Sequence, residues 1–387
     1  MRELRDLFSR YYRSMARTIY VSEVPMREFM FRDFEGKVRR HISFGSLGEL
    51  RRFMTDDPPL HAYYSVSLYR NPAAPMEEKE PVRAELLFDI DSTDFEDEEC
   101  ERDSLWRCKE CGRTGRGLPP ERCPDCGSER IEVNHWLNER CISLTKGEVA
   151  KLVDVLSDEL GAPLDEIAIS YTGNRGFHVR VPDGPLTSLS KEGRREVAFY
   201  IMGRGFDPVP LIRVEKGSIR FDLRSGVLRR ALIYLEKRVD QRGDLPSRLK
   251  DKVMVLIEGG SVRMGGRERR LLIDLLREAA QASGARIDWM VTTDTGRLTR
   301  IPNSLHGKTG FRALSLTLDE YQQFNPFTDA VGLPGEPEID VRVTLPVPRF
   351  KLKGETFGPH SPGEEVRIPG FAAAFIILRG RAEPANR

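Results

Sequence analysis

Nowhere in the 387 residues do the 18 or so consecutive apolar residues of a membrane helix occur. The opening MRELRDLFSRYYRSMAR is charged and amphipathic and lacks the apolar core of a secretory leader, so the expected location is the cytoplasm, with no membrane partner. Net charge is missing too: 61 basic against 60 acidic residues leave +1, which argues neither for nor against a nucleic acid. Six cysteines, four of them between 108 and 126, do not make a disulfide framework in a chain without a leader. No internal repeat is present, which removes solenoids. With 33 Gly, 25 Pro, 39% hydrophobic and 31% charged residues, collagenous, low-complexity and disordered classes are excluded as well.

What the chain has is local asymmetry. Residues 85–104 (ELLFDIDSTDFEDEECERDS) hold ten acids against Arg102, whereas 204–250 hold twelve Lys or Arg against six acids. The first stretch suits a cation and the second an anionic partner. Leu4, Leu7, Phe8, Tyr11, Tyr12 and Met15 recur at helical spacing in a first amphipathic helix. ELLFDID (85–91) is a strand by composition, and EIAISY (166–171) with GFHVRV (176–181) forms a strand pair around the turn TGNR. Thr145 with Glu148 reads as a capping box opening a helix that Gly161 stops. From 187 to 262 the chain is basic and mostly helical, an inserted subdomain; a further helix covers 265–281. IDVRVTL (339–345) and AAAFIILRG (372–380) read as strands. Because strands and long helices do not alternate regularly, the fold class is α+β with mixed or antiparallel sheets.

Four clusters carry chemistry. Asp89 and Asp91 stand two apart in a strand and so share a face, opposite Phe88 and Ile90. At about 6 Å and an effective dielectric near 20, two carboxylates repel by about 3 kcal/mol, which a divalent cation removes. In Thr172-Gly173-Asn174-Arg175-Gly176-Phe177-His178, glycines let backbone approach an anion, Arg175 offers a phosphate fork, and His178 shares a face with Arg180. The third cluster runs from Asp288, a candidate third metal carboxylate, through Arg297, Arg300, Ser304, His306 and Lys308. Its HGKTG lacks the GxxxxGK spacing of a P-loop.

The fourth cluster, Cys108-x2-Cys111 and Cys123-x2-Cys126, has the spacing of a four-cysteine zinc ribbon, a structural site for one Zn2+ with no position open for chemistry. Cys100 and Cys141 read as ordinary thiols outside this ligand set. Two other readings fit parts of the pattern. Asp89-Ile90-Asp91-Ser92-Thr93 matches the DxDxT of haloacid dehalogenase-like phosphatases, with Asp89 as nucleophile and Asp91 as acid, but leaves the ribbon and the later basic motifs unexplained. A noncatalytic zinc-ribbon adaptor for nucleic acid leaves the ordered acids idle.

FDID, TGNRGFH and the run from Asp288 through RLTRIPNSLHGKTG, in that order and with a cysteine module after the first, resemble the catalytic small subunit of archaeal and eukaryotic DNA primase, the archaeal form more closely. The resemblance extends to REFMF (27–31), RHISF (40–44), HAYYSVSLY (61–69), NPFTDAV and LRGRA, and so covers most of the chain. It implies a primase catalytic domain over 1–387, with a zinc module at 100–130 and a helical insertion at 187–262. It implies two Mg2+ or Mn2+ ions held by Asp89, Asp91 and Asp288, with Arg175, His178, His306 and Lys308 on the incoming nucleoside triphosphate and Thr172, Arg300 and Ser304 as further candidates. Thr172 stands where serine is usual, and the cysteine pairs are fuller than the shorter knuckles common in the family. The implied activity is nucleotidyl transfer that makes short primers on a single-stranded DNA template. The implied partner is a primase large subunit bearing an iron–sulfur cluster. A primase-polymerase of repair or plasmid type is the alternative.

Overall fold

The structure, a computed structural model, describes residues 1–239 and 247–385; residues 240–246 of the expected helical segment lie outside them. Contacts group the chain into two compact units, one of Met1–Lys146, Ile167–Ser188 and Asp294–Arg387, the other of Gly147–Glu166 and Leu189–Thr293. Every strand pair between named strands is antiparallel.

In the first unit, the helix Arg2–Met15 buries Leu4, Leu7, Phe8, Tyr11 and Tyr12, the apolar stripe legible in the sequence. Its tyrosines reach the loop at 303–305: Tyr11 Oη donates to Asn303 O at 2.7 Å, and Tyr12 Oη accepts from Leu305 N at 3.1 Å. Two four-stranded sheets follow. One runs Leu298–Arg300, His61–Ser65, Phe29–Arg32, Val38–Ile42; the other runs Leu314–Leu316, Ala168–Tyr171, Gly176–Val181, Leu86–Asp91. The acidic strand Leu86–Asp91 is therefore an edge, with Phe88 and Ile90 buried and Asp89 and Asp91 half-buried. The cysteine module is a three-stranded sheet of Thr114–Arg116, Leu105–Cys108 and Ile131–Asn134.

The run AAAFIIL, expected as a strand, is instead part of the helix Gly370–Leu378, in which Gly370 through Ile377 are all buried. Burial on every side removes the periodicity that separates helix from strand, and three consecutive alanines favour the helix. Thr145 does not cap a helix either. The helix spans Glu139–Asp154, Asn138 Oδ1 accepts from Cys141 N at 3.1 Å at its start, and the buried Thr145 hydroxyl bonds back to Cys141 O and Ile142 O. Among the described residues no helix is long and apolar enough to cross a membrane.

In the second unit, the segment expected to be helical also carries a three-stranded sheet, Ile212–Glu215, Ser218–Phe221 and Val262–Arg263. Helices Gly226–Val239 and Gly266–Ser283 share a core that includes Leu228, Ala231, Leu232, Leu272, Leu276 and Ala280. Glu148 caps nothing: one carboxylate oxygen accepts from Arg286 N at 2.8 Å and so holds the loop that leads to Asp288.

Candidate active site

The pairing of Leu86–Asp91 with Gly176–Val181 puts His178 directly opposite Asp89 and Gly176 opposite Asp91. A Cβ on Gly176 would come within 2.2 Å of Ile90 O, so only glycine lets the turn start this close to the acidic strand. His178 Nε2 lies 3.4 Å from Asp89 Oδ1, and Nδ1 is hydrogen-bonded at 2.7 Å to Oγ1 of the buried Thr299. Burial tends to raise the Asp89 pKa, but the His178 hydrogen bond and charge, together with the charge of Arg297, hold it below the ordinary carboxylate value. Asp91 Oδ1 accepts from Thr93 N at 2.9 Å and Thr93 Oγ1 at 3.0 Å, which fixes its rotamer at the strand end.

The turn at 172–175 is joined to the basic loop. Thr309 Oγ1 donates to Gly173 O at 2.5 Å, and a Cβ on Gly173 (φ +88°) would meet His306 Cβ at 2.7 Å. Thr172 Oγ1 donates to Gly176 O at 3.0 Å. Arg175 does not present its fork to the outside. It is 1% exposed, ion-paired to Glu101, and donates to Ser92 Oγ at 2.8 Å, Trp136 O at 3.1 Å and Cys100 Sγ at 3.1 Å. The short helix Glu98–Glu101 brings that carboxylate in from the acidic stretch. Burial works to raise the Glu101 pKa, yet hydrogen bonding to His135 and the Arg175 charge take it down to about 2. Arg175 is thus placed as a tie between the acidic segment and the turn. Cys100, expected as a thiol, is bonded to Cys141 in a disulfide; neither belongs to the four-cysteine cluster.

The basic loop builds a second polar cluster. Arg300 Nη2 donates to Tyr63 Oη at 2.7 Å and lies 3.0 Å from His61 Nδ1, while its guanidinium sits 4.4 Å from the Tyr63 ring centroid. His61 and His306 meet edge to face with centroids 5.3 Å apart. Both are kept neutral. Burial, then the Arg300 charge, lowers His61 to about 3 and His306 well below its ordinary value. Lys308 N donates to His306 Nδ1 at 3.0 Å, which leaves the proton of the neutral ring on Nε2. The Lys308 side chain is exposed. Arg300 Nη1 and Ser304 Oγ are buried without a hydrogen-bond partner, an arrangement that a folded protein tolerates where a ligand supplies the partner.

The first unit therefore brings together Asp89, Asp91, His178 and Thr172 on one pair of strands and their turn, and Arg300 at the end of a strand with Ser304, His306 and Lys308 on the loop that follows it, with His178–Thr299 and Thr309–Gly173 as the links. Asp288 belongs to the second unit, where it opens the helix Trp289–Thr293 by accepting from Met290 N at 2.9 Å. His61, Tyr63 and Thr299 escaped the sequence reading. Their only signal is position: His61 and Tyr63 alternate on one face of the strand His61–Ser65.

Cys108, Cys111, Cys123 and Cys126 have all their sulfurs within 4.8 Å of one another, with 3.6 Å between Cys108 and Cys126 and 3.5 Å between Cys111 and Cys123. Thiolates at about 2.3 Å from a tetrahedral zinc stand roughly 3.8 Å apart, so the set fits the ion. Each pair sits in a like turn: Cys108 N donates to Arg113 O and Cys123 N to Ser128 O, both at 2.8 Å. It is the one metal-ligating cluster of three or more such groups among the described residues.

A family model described as DNA primase small subunit matches residues 134–318. The DNA primase small subunit PriS of Cenarchaeum symbiosum is 33% identical over 99% of this chain and 98% of its own length. That of Methanospirillum hungatei is 30% identical over 98% and 96%, and that of Nitrosopumilus maritimus 28% over 97% and 96%. A solved polymerase domain of Mycobacterium tuberculosis ligase D in complex with DNA covers 82% of both chains at 12% identity, with a TM-score of 0.36.

Proposed function

Because the chain belongs to the DNA primase small subunit family, and is with it a primer-synthesising nucleotidyltransferase, we propose that the Asp89–His178 strand pair and the basic loop form its reaction centre. The observation that carries this assignment is the pair of buried, unpartnered donors, Arg300 Nη1 and Ser304 Oγ, beside a neutral His306 and an exposed Lys308. A triphosphate supplies the acceptors these groups lack.

In this reading Asp89 and Asp91 hold divalent cations, and Asp288 joins them on the strength of the family resemblance. The donor set fits: two half-buried carboxylates share one strand face, and Asp89 is held ionised. Bound Mg2+ or Mn2+ supplies activation of the primer 3′-hydroxyl and neutralisation of the triphosphate. The rest falls to this chain. Arg300 and Lys308 offset charge as the α–β phosphate bond breaks and pyrophosphate leaves. His306, neutral with Nε2–H free, donates a hydrogen bond without adding charge, and the Thr172 hydroxyl and His178 line the other side. No covalent enzyme intermediate is needed. Arg175 acts one step back, holding the turn through Glu101 and Ser92. The four-cysteine module holds a structural zinc, and a single-stranded DNA template, nucleoside triphosphates and a primase large subunit are the proposed partners. A phosphatase mechanism with Asp89 as nucleophile leaves the basic loop and the zinc module unused.

The test is primer synthesis on single-stranded DNA with labelled nucleotides, with and without Mg2+ or Mn2+. Asp89→Asn and Asp288→Asn should each abolish product while the fold persists. Near-normal synthesis by either variant removes that residue from the metal set.

A further inference from the structure

Two hollows of the first unit adjoin at Arg102 and Arg349, away from the residues assigned above. One, of roughly 550 Å³, lies between the root of the zinc module, at Arg102 and Arg116, and the C-terminal segment, at Arg349, His360 and Arg381. The other, of roughly 480 Å³, continues past Arg102 and Arg349 and is lined by Glu99 and Glu139 as well as Arg140 and Lys351.

The first hollow is short of negative charge. Its four arginines face one carboxylate, Asp103, which is already ion-paired to Arg116, with Arg102 Nε 3.5 Å away. Arg381 is a fixed wall: it is 1% exposed and donates to Asn134 Oδ1 at 2.7 Å and Pro346 O at 2.8 Å. Burial lowers its pKa to about 10, against the pull of Asp103 and with the push of Arg116. Arg349 is exposed and has no ion-pair or hydrogen-bond partner among the described residues. On the same wall, His360 Nδ1 is hydrogen-bonded at 2.9 Å to Glu364, whereas its Nε2 is buried and unpartnered. Glu364 fixes the His360 proton on Nδ1 and leaves Nε2 an acceptor, so the missing anion is marked by the surplus guanidinium charge and the unpaired Arg349.

We propose that this groove binds backbone phosphates of a single nucleic acid strand, with Arg102 and Arg349 as the contacting groups. The proposal rests on the primase reading, which supplies a polyanionic strand as substrate. It also gives the zinc module a role in binding, since the module holds Arg102 and Arg116 across from the C-terminal segment. Phosphate is favoured over an acidic peptide for two reasons. Guanidinium forks match phosphate oxygens, and none of the residues lining the first hollow is an exposed large hydrophobic that could anchor a peptide.

The experiment compares the full-length wild type with Arg102→Ala/Arg349→Ala, both changes being at exposed positions. Binding of a single-stranded oligodeoxynucleotide is measured from low to high salt, alongside nucleotide KM in primer synthesis. Loss of two phosphate contacts should weaken DNA binding roughly 10- to 25-fold near 0.1 M salt and reduce the log–log salt slope by about 1.4, with nucleotide KM within about twofold of wild type. Arg349→Glu should weaken binding more than Arg349→Ala. Unchanged DNA affinity and slope overturn the groove. So does a loss confined to nucleotide KM, which points to free triphosphate, or a loss confined to association with a protein partner. A wild type that makes no primer on this DNA with Mg2+ or Mn2+ overturns the primase reading instead, so the two failures are separable.

Discussion

His178 and Asp89 face each other across adjacent antiparallel strands, Nε2 lying 3.4 Å from Oδ1. The ring is oriented from the other sheet, since Thr299 Oγ1 holds Nδ1 at 2.7 Å. Thr299→Val keeps the shape and removes that bond. It should lower kcat/KM for primer synthesis about 10- to 100-fold, the usual cost of losing a partner that orients a functional histidine. Thr299→Ser should restore most of the activity, and full activity in the valine variant would leave His178 oriented by something else.

Arg175 separates a framework role from a phosphate-binding one. Removing it leaves Glu101 buried without its cation, which should cost on the order of 3–5 kcal/mol of stability in Arg175→Ala, measured by denaturant unfolding. The folded fraction should keep a near-normal nucleotide KM. A raised KM at unchanged stability would place the guanidinium on the triphosphate after all.

The contrast between these two residues shows what a sequence discloses. The acidic strand, the hairpin around TGNR and the four-cysteine module were legible because each rests on local rules: a period of two, a glycine turn, a fixed ligand spacing. That Glu101, 74 residues before Arg175, would fold in and claim its guanidinium is a long-range fact with no local signature. Thr299 escaped for the same reason, being 121 residues from His178. The buried helix Gly370–Leu378 failed differently, because an apolar run without periodicity reads equally as a core strand.

Stability should depend on pH in two steps. His61 and His306 are buried neutral, with folded pKa values below the ordinary 6.5, so the unfolded chain binds more protons. Their contribution is complete above about pH 6.5 and is lost as pH falls from there toward 3. Glu101 is lowered from 4.5 to about 2, so its contribution is present above about 4.5 and is lost between 4.5 and 2. Melting temperatures should decline first below pH 6.5 and more steeply below 4.5. His61→Gln should flatten the upper step, and an unaltered profile in that variant would mean that His61 does not titrate with unfolding.

Zinc at the four cysteines should be structural and separable from the reaction centre. One tetrahedral ion at this cluster would take up all four thiolates and leave no position for substrate. Metal analysis should find about one zinc per chain. Cys123→Ser removes a buried ligand whose backbone N–H, bonded to Ser128 O at 2.8 Å, helps close the second turn. The variant should lose the zinc and loosen the sheet of Leu105–Cys108, Thr114–Arg116 and Ile131–Asn134, seen as faster amide exchange there than in the Asp89–His178 strand pair. Nucleotide KM should change far less than stability. A variant that keeps its zinc and its exchange protection would show the ligand set to be wrong, and one that loses nucleotide affinity with its module intact would move the cysteines into the reaction centre.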